Sequence, residues 1–219
     1  REIVAPAGMA VAGSITPSAW VENYGVNVLP TFDVRFEISP GGYTEDVNVA
    51  AGLAPGDSAL VAFPAWAATP GSYTTKCTTL LVDDFSFNNK LEGTTNIVHY
   101  YEPFDVGDGG FTILSDAPGW EHGVPAGGGP TGPFTAPNCW GTNLTGTYGN
   151  FRSDRLTSIN FVALADNPTL FYYQWYDIEY GWDGGNVKLS TDGTTFSIIE
   201  GAEVPGYITT ASSWNVGIP

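Results

Sequence analysis

Five carboxylates in the second half of the chain are the residues with the most chemistry to offer. Two of them lie two positions apart in a segment with strand composition, so they point to one face. Ca²⁺ prefers six to eight oxygen ligands, and glycine-rich turns let backbone carbonyls approach closely. The sequence predicts a structural calcium site here; the alternative is solvated charges at strand edges and turns. The five residues are Asp105, Asp108, Asp177, Glu179 and Asp183.

No catalytic group emerges from the remaining reactive residues. Asp177-Ile-Glu179 resembles part of the acid-x-acid-x-acid strand of jelly-roll glycosidases, but Trp175 stands where the third acid would be. His99 and His122 are the only histidines, and there is no His-Glu-x-x-His, no Gly-x-Ser-x-Gly and no cysteine close to a histidine in sequence. We therefore predict a protein that is not an enzyme.

The two cysteines, one asparagine and several tryptophans each allow more than one interpretation. Cys77 and Cys139 are either two thiols acting as small buried hydrophobes or a disulfide that ties the two halves together. Asn143-Leu-Thr is a glycosylation sequon, which has meaning only in a source that glycosylates asparagine. Several tryptophans are able to stack on sugars, although packing in a core or rim is favoured. These are Trp66, Trp140, Trp182 and Trp214.

Composition indicates many short strands and an acidic surface. The 219 residues include 28 glycines and 16 prolines, and no window has the apolar spacing of an amphipathic helix. The net charge of −16 opposes binding to a nucleic-acid backbone or an anionic membrane. We find no signal peptide and no apolar run of 18 residues, so the sequence predicts no membrane span.

The first half predicts an immunoglobulin-like β-sandwich. In the clearest strand, 31–38, Phe32, Val34, Phe36 and Ile38 alternate with polar residues, which gives one buried and one wet face. Short strands recur about every ten residues, which is typical of such sandwiches. The predicted strands cover 1–4, 16–24, 31–38, 43–49, 58–63, 72–80 and 91–98, and a polar loop is expected at 83–89.

The second half centres on an aromatic segment and a glycine-rich turn. Residues 170–180 are dense in aromatics and predict a strand, followed after Asp183-Gly-Gly by strands at 186–191 and 196–199. A further strand is expected to start at 155–158. The Gly/Pro-rich stretch 126–137 is too long for a hairpin and predicts a surface loop, anchored by Phe134. A domain boundary is expected near residue 100, which gives domains of 1–100 and 101–219.

Residues 2–98 resemble the bacterial and archaeal cell-adhesion-related CARDB domain. The resemblance implies an Ig-like fold and says little about function. The residues that carry it are 17–25, 32–36, 53–58 and 70–73.

The second half resembles the jelly-roll domain of secreted bacterial peptidases of the immune-inhibitor-A type, a relative of the MAM domain. The resemblance implies a structural calcium, with Asp105 as the family's early acidic ligand. The family continues past the position of Pro219 with strands that end in a Gly-Trp-Tyr-Ile-Asp-Asp segment, so its late acidic ligand is missing here. The matching residues are 120–125, 140–144, 155–158, 175–179, 183–187 and 190–193.

A jelly roll without its last strands leaves backbone groups unpaired along the vacancy. Three explanations stay open: the chain is a fragment, the strands are replaced by a local variant, or another copy supplies them by donor-strand assembly. In the last case Glu2, Ile3 and Val4 are the natural donor strand.

The sequence thus predicts a two-domain, all-β protein, with an Ig-like β-sandwich followed by a partial jelly-roll β-sandwich. We expect a non-enzymatic, secreted or cell-surface protein with a structural or adhesive role, such as a filament subunit that forms homo-oligomers through its sheet edges. The alternative is a glycan- or protein-binding accessory module of a larger secreted peptidase or adhesin.

Overall fold

The computed structural model describes residues 1–82, 85–114, 119–161, 168–179 and 183–199. The chain divides into two compact units, Arg1–Tyr101 (unit 1) and Glu102–Pro219 (unit 2), one residue beyond the expected boundary. Within the described ranges there is no α-helix, and only a single 3₁₀ turn, Ser86–Asn88. The all-β class is therefore confirmed. Among these described residues, no helix is long and apolar enough to cross a membrane.

Unit 1 contains all seven strands predicted for the first half, each within two residues of its expected ends. Three further short strands were not predicted, because three or four residues are too few to show alternation. The strands are β1 Glu2–Ala5, β2 Gly8–Val11, β3 Gly13–Ile15, β4 Ser18–Glu22, β5 Phe32–Ser39, β6 Tyr43–Val49, β7 Ser58–Ala62, β8 Trp66–Ala68, β9 Gly71–Thr79 and β10 Lys90–Val98.

Two sheets of unit 1 enclose one hydrophobic core. The larger sheet has the order β2-β10-β9-β5-β6 and the smaller one β1-β4-β7, while β3 and β8 form a separate ribbon. The apolar face of β5 is buried as predicted, and Phe36 and Ile38 pack with Ala19 and Val61 of the smaller sheet. The rings of Phe36 and Phe63 lie 5.1 Å apart between the sheets. This is an Ig-like β-sandwich.

Unit 2 forms two-stranded ribbons in its described part. Strand β11 pairs with β14, β12 with β13 and β15 with β16, all antiparallel. These ribbons do not test the expected jelly roll, which stays a prediction. The strands are β11 Thr112–Leu114, β12 Trp120–Gly123, β13 Cys139–Thr142, β14 Arg155–Thr157, β15 Lys188–Leu189 and β16 Ser197–Ile198.

The predicted strand over residues 170–180 is wrong for its described part, 170–179, where the structure has no strand. Aromatic composition suits a pleated surface, but a strand also requires ladder hydrogen bonds to a neighbouring strand, which composition does not specify. Tyr180 lies outside the described residues. The hairpin that follows is present, since Lys188 pairs with Ile198.

Asp192 organises the turn between β15 and β16. The Asp192 carboxylate accepts hydrogen bonds from the backbone N–H groups of Thr194 and Thr195, at 2.8 and 2.7 Å. These bonds hold the pKa of the Asp192 carboxyl below its usual range. Gly193 supplies the positive φ of 73° that the turn requires.

Candidate interaction surface

Three loops of unit 1 meet at one end of the sandwich because of strand register. Phe32 at the start of β5 is opposite Val49 at the end of β6, and Val34 is opposite Thr79 at the end of β9. Strand β10 starts beside the end of β9. The β4–β5, β6–β7 and β9–β10 loops therefore share this end. We call their described residues, 23–31, 50–57, 80–82 and 85–89, the loop end.

A buried asparagine fastens two of these loops together. Asn23 is 2% exposed. Its Nδ2 donates to Asn27 O at 2.8 Å and to Leu53 O at 3.0 Å, and its Oδ1 accepts from Gly25 N–H at 2.9 Å. A buried amide is stable only when its polar atoms are paired, so the side chain demands this loop geometry.

Each loop also places one leucine against the core. Leu29, Leu53 and Leu81 are half-buried and pack against the cluster between the sheets. Two backbone hydrogen bonds join the β4–β5 and β6–β7 loops: Leu29 N–H donates to Leu53 O, and Gly52 N–H donates to Leu29 O. Leu80 N–H donates to Asp33 O at 2.8 Å. The loop end is thus held by packing and by hydrogen bonds.

The same loops present apolar side chains outward. Val26 is 89% exposed, Val82 97% and Phe87 93%. The rings of Phe85 and Phe87 contact edge to face at 6.5 Å. The loop expected at 83–89 contains no strand in its described part, 85–89, and it carries two exposed aromatic residues, Phe85 and Phe87. Exposed apolar groups concentrated on anchored loops indicate an interaction surface.

Charge around this surface is negative and uncompensated. All the lysines and arginines of unit 1 form ion pairs: Arg1 with Glu22, Arg35 with Asp46, Lys76 with Glu37 and Lys90 with Glu92. Asp57 in the loop end and Asp33 in the second position of β5 are exposed, and within the described ranges neither forms an ion pair; the Asp33 carboxylate accepts from Asn48 Nδ2 at 2.7 Å.

Sequence reasoning missed this surface. Asn23 entered only as part of a family resemblance, because its partner Leu53 is 30 positions away. The available signal was the pair of short apolar repeats in turn-rich segments, Val26-Asn-Val28 and Phe85-Ser-Phe87.

The predicted calcium ligands of unit 2 fall into separate settings. Asp105 and Asp108 are exposed, and their backbone carbonyls accept from Asn138 Nδ2 at 3.1 Å and Trp140 Nε1 at 3.2 Å. The Asp108 Oδ1 accepts from Gly110 N–H. Side chains from β13 and the residue before it thus tie down the segment that carries both acids.

Glu179 and Asp183 lie close together. Asp183 N–H donates to Glu179 O at 3.1 Å, and the hydroxyl of Tyr148 donates to Asp183 Oδ2. Burial, helped by this carboxylate, raises the pKa of Tyr148 to about 12. Asp177 is exposed. No three His, Cys, Asp or Glu side chains among the described residues form a group able to hold a metal ion, and calcium stays a prediction.

Both cysteines are free thiols in the structure, and a disulfide between the two halves stays a prediction. Cys77 faces the core from β9, and burial raises its pKa to about 11. Cys139 is half-buried at the start of β13, and burial raises its pKa also.

The proposed donor strand is already engaged within unit 1. Glu2 is opposite Trp20 and Ile3 opposite Ala19, so β1, which contains Val4, forms the edge of the smaller sheet. Donation to another copy would require this pairing to break. The sequon residue Asn143 is engaged too, because its Nδ2 donates to Thr147 O at 2.6 Å.

His122, Trp66 and Trp140 have structural surroundings, whereas His99 is exposed. His122 Nε2 donates to Phe104 O, and its ring lies 5.4 Å from that of Trp140. Phe104 holds a positive φ of 62°, a strained backbone fixed by these contacts. Trp66 is buried in the core of unit 1. Trp182 and Trp214 lie outside the described residues.

Comparisons with known proteins give partial likenesses. No family model matches the chain. Bacillopeptidase F of Bacillus subtilis (strain 168) is 33% identical over 99 residues, which is 43% of this chain and only 7% of that protein. The chain therefore spans a small fraction of that relative's length.

Among solved structures, a CARDB domain from Pyrococcus furiosus, crystallised with di-metal ions, matches with a TM-score of 0.37 and 22% identity. This match covers 43% of our chain and 87% of that domain. A solution structure of the same domain gives 0.35 and 20%, over 42% and 88%. At this similarity the solved structures carry no argument about ligands or partners.

Proposed function

We propose that this chain is a non-catalytic accessory module of a larger extracellular protein, and that unit 1 binds a partner polypeptide through the loop end. The observation that carries the proposal is the combination of anchored loops and exposed apolar tips. Asn23 and the three leucines hold the loops in place, while Val26, Val82 and Phe87 remain in water. Preorganised apolar groups bind at a low entropic cost.

The extracellular, accessory setting is supported by two likenesses. The first half resembles cell-adhesion-related domains in its sequence motifs, and part of the chain is similar to a small part of Bacillopeptidase F. The acidic, turn-rich composition agrees with an exposed module. The non-catalytic assignment agrees with His122, whose ring nitrogen is used to fix the Phe104 carbonyl.

Selection from a random-peptide display library against the whole chain tests polypeptide binding and does not require an identified partner. We expect enriched peptides to bind the native chain and to lose binding to Val26→Ser and Phe87→Ser. Val11→Ser is the matched control, because Val11 is exposed and lies opposite Val98, at the end of β10 away from Lys90. Equal loss in the control, or no enrichment, contradicts the proposal.

Self-assembly into a filament is the second candidate, favoured by an open sheet edge. Strand β6 is seven residues long and borders the larger sheet, with no strand on its outer side within the described part. Such an edge is able to accept a strand from another copy. Size-exclusion chromatography and negative-stain imaging test this candidate, and a monomer at all concentrations rules it out.

Two further proposals concern ligands of the same module. A glycan array tests sugar binding, which a purely polypeptide-binding module should not show. Calcium titration of the metal-free chain tests a structural ion in unit 2. A site at Asp105 or Asp183 should raise hydrogen-exchange protection in unit 2 and leave unit 1 unchanged, whereas equal exchange with and without calcium ends that proposal.

A further inference from the structure

We infer that the loop end accepts a basic, apolar polypeptide segment, one that presents lysine or arginine beside aliphatic or aromatic side chains. This inference rests on the proposed function and specifies the chemistry of the partner. It follows from what the loop end offers: apolar tips, uncompensated carboxylates and a fixed shape.

The apolar requirement comes from the exposed apolar side chains of the loop end. Val26 and Val82 are almost fully exposed, and Phe85 and Phe87 present an edge-to-face aromatic pair beside Val82 in sequence. Valine and phenylalanine have no hydrogen-bonding group, so they favour aliphatic and aromatic partners over the polar rim of a sugar. A partner without apolar side chains would leave these apolar groups in contact with water.

The basic requirement comes from charge complementarity. Asp57 lies in the loop end and Asp33 is the second residue of β5, which follows the β4–β5 loop; neither forms an ion pair among the described residues, and every lysine and arginine of unit 1 is already paired with a carboxylate. The chain as a whole carries −16. A second copy of the chain, a nucleic acid or an anionic membrane would meet like charge, whereas a cationic segment would be attracted.

The fixed shape favours a specific fit over loose adhesion. Asn23 links the first two loops through Leu53 O, and Asn89 Nδ2 reaches Leu81 O at 3.4 Å within the third. Anchored loops change little on binding, so the energy of apolar contact is not spent on ordering them.

The experiment uses the full chain and three synthetic peptides of equal length, composed of Lys and Leu, of Lys and Ser, and of Glu and Leu. Affinities are measured by isothermal calorimetry or biolayer interferometry. We expect the Lys/Leu peptide to bind at least about tenfold more tightly than either of the others, and its affinity to fall at high salt.

Variants locate the binding. Phe87→Ser should weaken the Lys/Leu peptide about tenfold, and Val26→Ser less, while Val11→Ser should leave the affinity unchanged. Asp57→Asn should weaken it about threefold and reduce the salt dependence, because the Asp57 side chain lies at the loop end. Asp177→Asn in unit 2 is the control for an equal change of charge. Unchanged circular dichroism shows that each variant is folded.

The outcomes separate this inference from the proposed function. Binding of the Glu/Leu peptide as tight as that of Lys/Leu, or equal binding of Lys/Ser and Lys/Leu, overturns the basic-apolar assignment. Library peptides that depend on Phe87 but are acidic would also overturn it, and would leave polypeptide binding at the loop end standing. Equal weakening by Val11→Ser and Phe87→Ser overturns both.

Discussion

The two units contain the same asparagine motif in different surroundings. In unit 1, Asn23 donates to the carbonyl four residues ahead and accepts from the N–H two residues ahead, at 2.8 and 2.9 Å. In unit 2, Asn143 makes the same two bonds, to Thr147 O at 2.6 Å and from Thr145 N–H at 3.2 Å. Local sequence thus produces the same small loop twice.

The difference lies in what the motif connects. Asn23 is buried and also reaches Leu53, so it joins two loops and supports the loop end. Asn143 is half-buried, with a φ of 64°, and its described bonds stay within residues 143–147. The same local structure is a link between distant segments in one unit and a turn in the other.

The cores differ in the same way. In unit 1 two sheets share a cluster of buried side chains, with Phe36 and Val34 fully enclosed. In the described part of unit 2, Leu144 is the buried hydrophobic residue, and it packs over the β12–β13 ribbon. Stability should therefore be distributed over many contacts in unit 1 and concentrated around Leu144 in the described part of unit 2.

One thiol in each unit provides a way to test this contrast. Cys77 in unit 1 is buried with a raised pKa, so alkylation requires unit 1 to open. Cys139 lies in unit 2 and is half-buried. Pulsed alkylation and hydrogen exchange, both read by mass spectrometry, therefore report on each unit in the intact chain.

The largest effect is expected for Phe36→Ala. Truncating an enclosed aromatic side chain costs about 4 kcal/mol, and it should accelerate the alkylation of Cys77, which packs in the same core. Phe87→Ala removes the same atoms from an exposed position and serves as the control. If both variants expose Cys77 equally, the distributed core of unit 1 is contradicted.

The next largest effect distinguishes the two asparagines. Asn23→Ala removes three hydrogen bonds, those with Asn27 O, Leu53 O and Gly25 N–H, and should cost about 3 kcal/mol, whereas Asn143→Ala should cost about 1 kcal/mol. Hydrogen exchange should increase in both loops 23–31 and 50–57 in the first case, and only near 143–147 in the second. Equal, local effects would show that the Leu53 bond adds nothing.

A glycine substitution sharpens the account of unit 2. A Cβ at Gly141 would lie 2.6 Å from Leu144 Cδ2, so Gly141→Ala should cost about 2 kcal/mol by overpacking. Gly132→Ala is the control, because a Cβ there has open space. Hydrogen exchange of β12 and β13 measures the effect. The double variant with Leu144→Ala should cost less than the sum of the two, and strict additivity would place the strain elsewhere.

The same contrast explains how far sequence reasoning reached. Alternation along β5 predicted both a strand and its buried face, because residues two apart share a side of a pleated backbone. Residues 170–179 have the aromatic composition of a strand but form no strand, because composition does not specify a neighbouring strand. Local sequence preference was sufficient to predict the strands of unit 1, where many strands share one core.

The candidate site was harder to predict because it depends on contacts between distant residues. Asn23 and Leu53 become neighbours only once β4 pairs with β7 and β5 with β6. No local signal distinguishes Asn23 from Asn143, although their expected roles differ. Leu81 packs against the core while Phe87 in the same loop is exposed, and the sequence of the loop does not show this difference.

The smallest expected effect concerns the polar face of the larger sheet. Arg35 Nε and Nη2 donate to the two carboxylate oxygens of Asp46, each at 2.8 Å, and these bonds lower the pKa of the Asp46 carboxyl. Because the Asp46 pKa is lower in the folded than in the unfolded state, the ionised carboxylate stabilises the fold at pH values above the ordinary carboxyl pKa. This contribution is lost as the pH falls through the lowered value.

Carboxyl-carbon NMR of the native chain and of Arg35→Gln measures this directly. We expect the Asp46 pKa to rise toward its ordinary range in Arg35→Gln, and the effect of Asp46→Asn on the urea midpoint of unit 1 to vanish at low pH. Because the pair is exposed, the change in stability should be small and should shrink further in high salt. An Asp46 pKa that does not respond to Arg35→Gln would assign its lowering to another cause.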